Sequence, residues 1–368
     1  WMKAPDGTPT KLTEDQWLMV RTPNFKRWFG NWDYDGGDTV SAIMIADNFT
    51  VAQSGTRAVA KTTKSDLVGK QVTIKDDGLV VGFFGAGIEA ALKNRNAVSR
   101  KLFPHIDKVI ENAVYYSSEA NTKDGRPGVS GYDTYYSAAI IDGKPYSVRI
   151  VIDVIKDNAR GPGYYYHQVK QIDVENAVGY SRALKAPALT TSIDLTLDQL
   201  TENVKPKFSK TIDANGEPLV VYHGTDKDFE SFKTSNEWGF GGAYFSTNKK
   251  VSDNYGGKKI AAYVSLQNPY IVEDAEGKFH DSIRRPTEIP GKGTVDAQEI
   301  VAFARNNGHD GVIIRNVSEH GGIGDDVIAF SPSQIKSVNN RGTFDPSNPN
   351  IYKQSYKGSI HWQDGGPV

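Results

Sequence analysis

The stretch that most constrains this chain is Val220-Val221-Tyr222-His223-Gly224-Thr225, whose apolar run predicts a buried strand ending on a histidine, a glycine and a hydroxyl residue. Twenty-one residues after His223 stands Tyr244, in Gly239-Phe240-Gly241-Gly242-Ala243-Tyr244-Phe245-Ser246, a glycine-loosened turn running into a second short strand. A third strand, Asp326-Val327-Ile328-Ala329-Phe330, opens on a carboxylate. A histidine, a tyrosine and an acid at the edges of three strands are what a site needs to hold a polar sugar and a flat ring. Glycines beside them let a ligand approach the backbone closely.

These segments together resemble the ADP-ribosyltransferase fold of the diphtheria-toxin and poly(ADP-ribose) polymerase type, whose signature is His-Tyr-Glu, in the version carried by polyvalent proteins of phages and mobile elements. The resemblance covers residues 206–354 and gains its specificity from spacing, because Ser252 and Tyr255 follow Tyr244 by eight and eleven residues. It implies a split, mostly antiparallel β-sandwich with short helices, and NAD+ as the substrate cofactor with no metal. By the resemblance, Gly224 and Ser252 bond the nicotinamide carboxamide, Tyr244 and Tyr255 sandwich the ring, and His223 with Thr225 holds the adenosine-side ribose. Asp326 bonds the nicotinamide-side ribose and orients or deprotonates the acceptor. Catalysis falls to His223, Tyr244 and Asp326.

One departure bears on the product. Where the polymerase type begins its strand with Glu, this chain has Asp326, one methylene shorter, followed by Pro332-Ser333-Gln334-Ile335-Lys336 as in the polyvalent version. Loss of that glutamate argues against polymer formation and leaves mono-ADP-ribosylation, NAD+ hydrolysis or an inactive relic. Strand alternation points Asp325 to the opposite face. Gln334 and Lys336 read as strand-end and surface residues. Gly291-Lys292-Gly293 and Gly321-Gly322-Ile323-Gly324 read as flexible loops near the cleft, the second as the target-recognition loop, with Glu319 and His320 beside it.

Composition excludes several classes. With 43 Lys+Arg against 44 Asp+Glu there is no global basic field to imply nucleic acid or an anionic membrane as main partner. The absence of cysteine removes disulfides, thiolate nucleophiles and Cys-based zinc sites. No run approaches the ~18 apolar residues of a membrane span, and no signal peptide is visible. The expectation is a cytoplasmic protein of a bacterial host, or one delivered into a target cell. Because residue 1 is Trp, the chain reads as part of a longer polypeptide.

The 368 residues divide into a helical segment at 1–65, an α+β accessory domain at 66–178, a linker at 179–205, the transferase-like domain at 206–354 and a tail at 355–368. In the first, Thr13 with Gln16 forms a capping box, and Phe25, Trp28 and Phe29 share a helix face that Gly30 ends. A similar Phe-Lys-x-Trp-Phe-Gly segment sits just ahead of the transferase in polyvalent proteins, so a module reads as inserted between the two. That module shows a hairpin through Asp76-Asp77-Gly78, helices within 88–112 broken at Pro104, and strands at 135–141, 146–154 and 164–172, the first two joined by an Asp142-Gly143 turn. It resembles the small domain associated with polyvalent proteins and, more distantly, barnase-like ribonucleases.

Within it His105, His167, Glu111, Glu119, Arg126, Arg149 and Lys170 are residue types a nuclease would use, but none falls in a catalytic motif. Farther on, 191–200 reads as a short helix, Asp228 to Phe232 as a turn or short helix setting two phenylalanines under the cleft, and Asp296 with Glu299 as a capping box. The function expected is mono-ADP-ribosyl transfer from NAD+ to an unidentified macromolecular acceptor, protein or nucleic acid. NAD+ hydrolysis, an inactive nucleotide- or partner-binding module, and a nuclease in the accessory domain are the alternatives.

Overall fold

The computed structural model describes residues 2–34, 36–45, 64–84, 97–121, 128–156, 165–177, 194–201, 204–234, 241–340, 344–346 and 348–352. Expectations at 85–96, Arg126, Tyr164, 178–193, Gly239-Phe240, 341–343 and the tail lie outside the described residues. The chain forms two compact units, one of residues 1–33 with 208–368 and one of 34–207.

The first unit begins with α1 (Glu14–Val20) and α2 (Pro23–Phe29). Thr13 and Gln16 cap α1 reciprocally, and Gly30 ends α2 at φ 94°, a conformation glycine adopts without penalty. The i, i+3, i+4 spacing turns Phe25, Trp28 and Phe29 to one side, where they pack with Tyr263 and Phe344. Trp28 donates from Nε1 to the Ser333 carbonyl, and Ser265 donates to the Trp28 carbonyl, both at 3.0 Å.

The inserted unit contains β1 (Thr39–Ser41), β2 (Ile43–Ile45), β3 (Gln71–Thr73), β4 (Val80–Gly82), α3 (Ala97–Leu102), α4 (Ile106–Glu111), β5 (Val114–Ala120), β6 (Val129–Ile141), β7 (Lys144–Lys156), β8 (Tyr165–Asn176), β9 (Asp194–Thr196) and α5 (Leu197–Leu200). Asp142 and Gly143 both have positive φ, 53° and 70°, the geometry whose twist matches a two-residue hairpin between β6 and β7. The strands run β2-β6-β7-β8-β4-β3, with β5 beside β6, and helices α3 and α4 cover a core that includes Tyr135, Ile150 and Ile152. The sheet is mixed, since β2 pairs β6 and β4 pairs β8 in parallel. The helix expected near 191–200 is one turn; residues 194–196 pair with β1 instead.

The first unit resumes with β10 (Val221–Thr225), β11 (Ala243–Ser246), α6 (Lys249–Ser252), β12 (Lys258–Val264), β13 (Tyr270–Val272), β14 (Ile283–Arg284), β15 (Thr294–Val295), α7 (Ala297–Asn306), β16 (Gly311–Glu319), β17 (Gly322–Ala329) and β18 (Ile335–Ser337). Seven of these strands form one sheet, β13-β16-β17-β11-β10-β12-β18. Alternation along β16 and β17 buries both faces: Val312, Ile314 and Ile328 pack toward α7, and Ile313, Val327 and Ala329 pack toward the opposite core. β10 and β11 are paired at one position, Tyr222 with Ser246, which nearly divides the sheet in two. That is the split of the mixed α+β, mostly antiparallel architecture expected.

Two expectations fail in physical detail. Gly322 to Gly324 is not a flexible loop but the start of β17, paired back to Val317 through Glu319, because glycines in extended backbone still form ladder bonds. Lys336 is not a surface residue: it is fully buried, its ammonium donating to the carbonyls of Asn348 and Asn350. Gln334 is likewise consumed structurally, accepting from the amides of Phe330 and Ser331 and donating to the Asp310 carbonyl. Among the described residues no helix is long and apolar enough to cross a membrane.

Candidate active site

A cavity of about 330 Å³ opens where β10 and β11 part. Its wall brings together His223, Gly224, Tyr244, Ser252, Tyr255 and Asp326, six of the seven residues singled out from sequence. Thr225 lines a neighbouring groove, where its hydroxyl accepts from the Lys227 amide.

His223 is set by its surroundings. Nδ1 lies 2.8 Å from the Tyr244 carbonyl, which can only accept, so Nδ1 carries the proton and Nε2 is the acceptor nitrogen. Phe232 meets the ring edge-on at 4.9 Å and Phe229 at 6.3 Å, so the bend at 228–232 does set two phenylalanines under the cleft, without a helix. Burial in this aromatic box holds the imidazole below its ordinary pKa, outweighing the opposing effect of the Tyr244 carbonyl. The ring is therefore neutral near pH 7.

Gly224 is required by close packing. A Cβ there would stand 2.0 Å from the Ser252 carbonyl oxygen and 2.8 Å from the Tyr255 Cβ. The turn of α6 thus lies directly on β10. Asn248 caps that turn by accepting from the Lys250 amide, and Ser252 donates to the Lys249 carbonyl at 2.7 Å. Tyr244 is pushed above its ordinary pKa by burial and then by Asp326, so its hydroxyl stays protonated.

Four carboxylate residues line the cavity, Asp281, Asp296, Glu319 and Asp326, and the last two carry its electrostatics. Asp326 is 7% exposed and raised to about 7, by burial first and then by Glu319. Asp325, one residue earlier, faces away, accepting from the Asn316 amide at 3.0 Å and lying 3.5 Å from Arg315. Glu319 was not among the residues chosen from sequence. Its Oε1 accepts from the Tyr255 hydroxyl and lies 3.0 Å from His280 Nδ1. Burial disfavours its charge, but these two bonds outweigh burial and hold it below the usual glutamate value. His280, also missed, is raised chiefly by its bond to Glu319. No motif marks either residue; the structure joins them from a loop and the end of β16.

The described nuclease-type residues of the inserted unit are spread over several elements. His105 precedes α4, Glu111 at its far end pairs with Lys75, Glu119 lies on β5, and Lys170 sits over the Tyr132 ring. A cavity of about 160 Å³ in this unit takes only Arg149 from the set.

The family described as ADP-Ribosyltransferase in polyvalent proteins matches residues 213–344, and Large polyvalent protein-associated domain 3 matches residues 52–165. No curated protein and no solved structure matches the chain.

Proposed function

With an ADP-ribosyltransferase domain of the polyvalent-protein type at residues 213–344 as premise, we propose that the cleft binds NAD+, releases nicotinamide and passes a single ADP-ribose to a macromolecular acceptor. The observation that carries this reading is the convergence of His223, Gly224, Tyr244, Ser252, Tyr255 and Asp326 on one cavity at the split of the sheet. Its volume falls at the lower end of ligand pockets, roughly 300–1,000 Å³, and suits the nicotinamide–ribose half of the dinucleotide. The tyrosine rings supply flat apolar faces, and Gly224 brings backbone polar groups to the same wall for the carboxamide. His223 Nε2 accepts from a ribose hydroxyl.

Breaking the glycosidic bond sends its electron pair out with nicotinamide and leaves an oxocarbenium-like sugar, which negative charge nearby stabilises. Ionised Asp326 supplies that charge and accepts from the hydroxyls of the same ribose. A carboxylate desolvated this far interacts more strongly with a developing cation than one in water. The test is nicotinamide release from NAD+ by the purified chain with a bacterial lysate as acceptor pool, beside Asp326→Ala and His223→Ala. Release dependent on both residues with label retained on a macromolecule is expected. Release without retained label would make the protein a hydrolase, and no release above the variants would leave a binding module.

A further inference from the structure

We propose that His280 and Glu319 form an acceptor-activating dyad, in which Glu319 positions the imidazole and His280 Nε2 takes the proton of the attacking group. This rests on the transferase reading above and names the base for that reaction.

The geometry is that of an oriented imidazole. Nδ1 of His280 stands 3.0 Å from Glu319 Oε1, so a neutral ring keeps its proton on Nδ1, bonded to the carboxylate, and presents Nε2 as acceptor. Glu319 is itself fixed by the Tyr255 hydroxyl on the same oxygen. The backbone is held as firmly: the His280 carbonyl accepts from the Ala297 amide at 2.8 Å, at the start of α7, and the Lys278 carbonyl accepts from the Ser318 amide at 2.9 Å. Both side chains line the same cavity as Tyr244 and Asp326. A histidine serving only structure would be enclosed, whereas the His280 side chain is 34% exposed while Glu319 is 9% exposed. Phe279, whose ring lies 4.1 Å from the imidazole, is itself 37% exposed, so the dyad lies beside accessible apolar surface.

The step balances as follows. The acceptor's oxygen or nitrogen bonds to the ribose C1′ as the glycosidic bond breaks, and the bonding pair leaves with neutral nicotinamide. The acceptor proton moves to Nε2, and the imidazolium formed is paired with Glu319 until the proton passes to solvent through the exposed side of the ring. The groups that shape the titration of His280 are Glu319 on β16, Asp326 on β17 and Asp281 beside it; Tyr255 and Asp296 line the same cavity, and His320 in the turn after β16 packs against Tyr255. The base is competent when neutral, so transfer is lost as pH falls through its titration, which lies above the ordinary histidine value.

The test measures NAD+ affinity by calorimetry and transfer rate against pH for the full chain, His280→Ala and Glu319→Gln. For His280→Ala, NAD+ affinity within about twofold of wild type and a transfer rate lower by about 10²–10⁴-fold are expected, the range for loss of a general base. In Glu319→Gln the imidazole loses its carboxylate partner, so the acid limb moves to lower pH; because Glu319 also raises Asp326, the dyad's share is the part of that shift that disappears when Glu319→Gln is made in the His280→Ala background. Transfer by His280→Ala at the wild-type rate with the same acid limb would overturn the dyad alone. A wild type that neither binds NAD+ nor releases nicotinamide would overturn the transferase reading and the dyad with it.

Discussion

His223 Nδ1 bonds the Tyr244 carbonyl at 2.8 Å, at the point where β10 and β11 cease to pair as backbone. A side chain thus does across the split what ladder bonds do elsewhere, and in doing so fixes which nitrogen faces the cavity. His223→Phe keeps the aromatic contacts with Phe229 and Phe232 but loses both ring nitrogens. We expect a stability loss of about 1–2 kcal/mol, that of one buried hydrogen bond, and a fall in nicotinamide release of at least about tenfold, the equivalent of 1.4 kcal/mol in transition-state binding. Urea denaturation beside an activity assay checks it; unchanged release would remove His223 from the site.

Asp326 carries a stability signature of its own. Its folded pKa of about 7 lies above the ordinary 3.8, so the fold favours the protonated acid. That contribution is full below the unfolded value and is lost as pH rises toward and through 7. The loss is on the order of 4 kcal/mol at most. Asp326→Asn has no proton to lose. Its stability relative to wild type should therefore grow between the ordinary carboxylate range and about pH 7 and level off above it. Denaturation midpoints across that range decide the matter, and a pH-independent difference would show that Asp326 titrates as an ordinary surface acid.

The contrast between Asp326 and Glu319 shows what was legible in the sequence. His223, Tyr244, Ser252 and Tyr255 could be chosen because strand ends and fixed spacing carry them, and Asp325 could be turned away by simple alternation. The same alternation, counted from Val312 and Ile314, puts Glu319 on the wrong face. The register shifts between Ile314 and Val317, with Asn316 at φ 59°, so that Val317 and Glu319 rejoin the face of Ile314. A bulge of one residue reverses every later side chain. Nothing short of the partner strand reveals it, and His280 reaches the cleft by a loop whose path no periodicity describes.

Asp325 is the residue that holds this bulge, through the Asn316 amide and Arg315. Asp325→Ala should therefore reduce nicotinamide release about tenfold or more by letting Glu319 and Tyr255 drift, although Asp325 lines no part of the cavity. A displaced group of this kind costs in proportion to its misplacement. Asp325→Asn retains an oxygen acceptor for the Asn316 amide and should recover most of the rate. Equal losses in both variants would point to charge as the cause and sink the bulge explanation.

The last expectation concerns the inserted unit. The Phe29 carbonyl accepts from the Ser209 amide at 2.8 Å, and Gly30 bridges Phe208, so the chain leaves and re-enters the transferase unit at neighbouring points. Replacing residues 34–207 by a linker of about four to six residues, an ordinary connection length, closes a gap that the fold already closes. The shortened chain should unfold cooperatively and bind NAD+ with wild-type affinity. Residues 2–33 cannot be spared in the same way, because Phe25 is fully buried against Tyr263, Trp28 and Phe344. Phe25→Ala in the shortened chain should cost about 3–5 kcal/mol, as for other buried aromatics. If the shortened chain aggregates while the full chain does not, the inserted unit is needed to fold the transferase, and its role is more than that of a passenger.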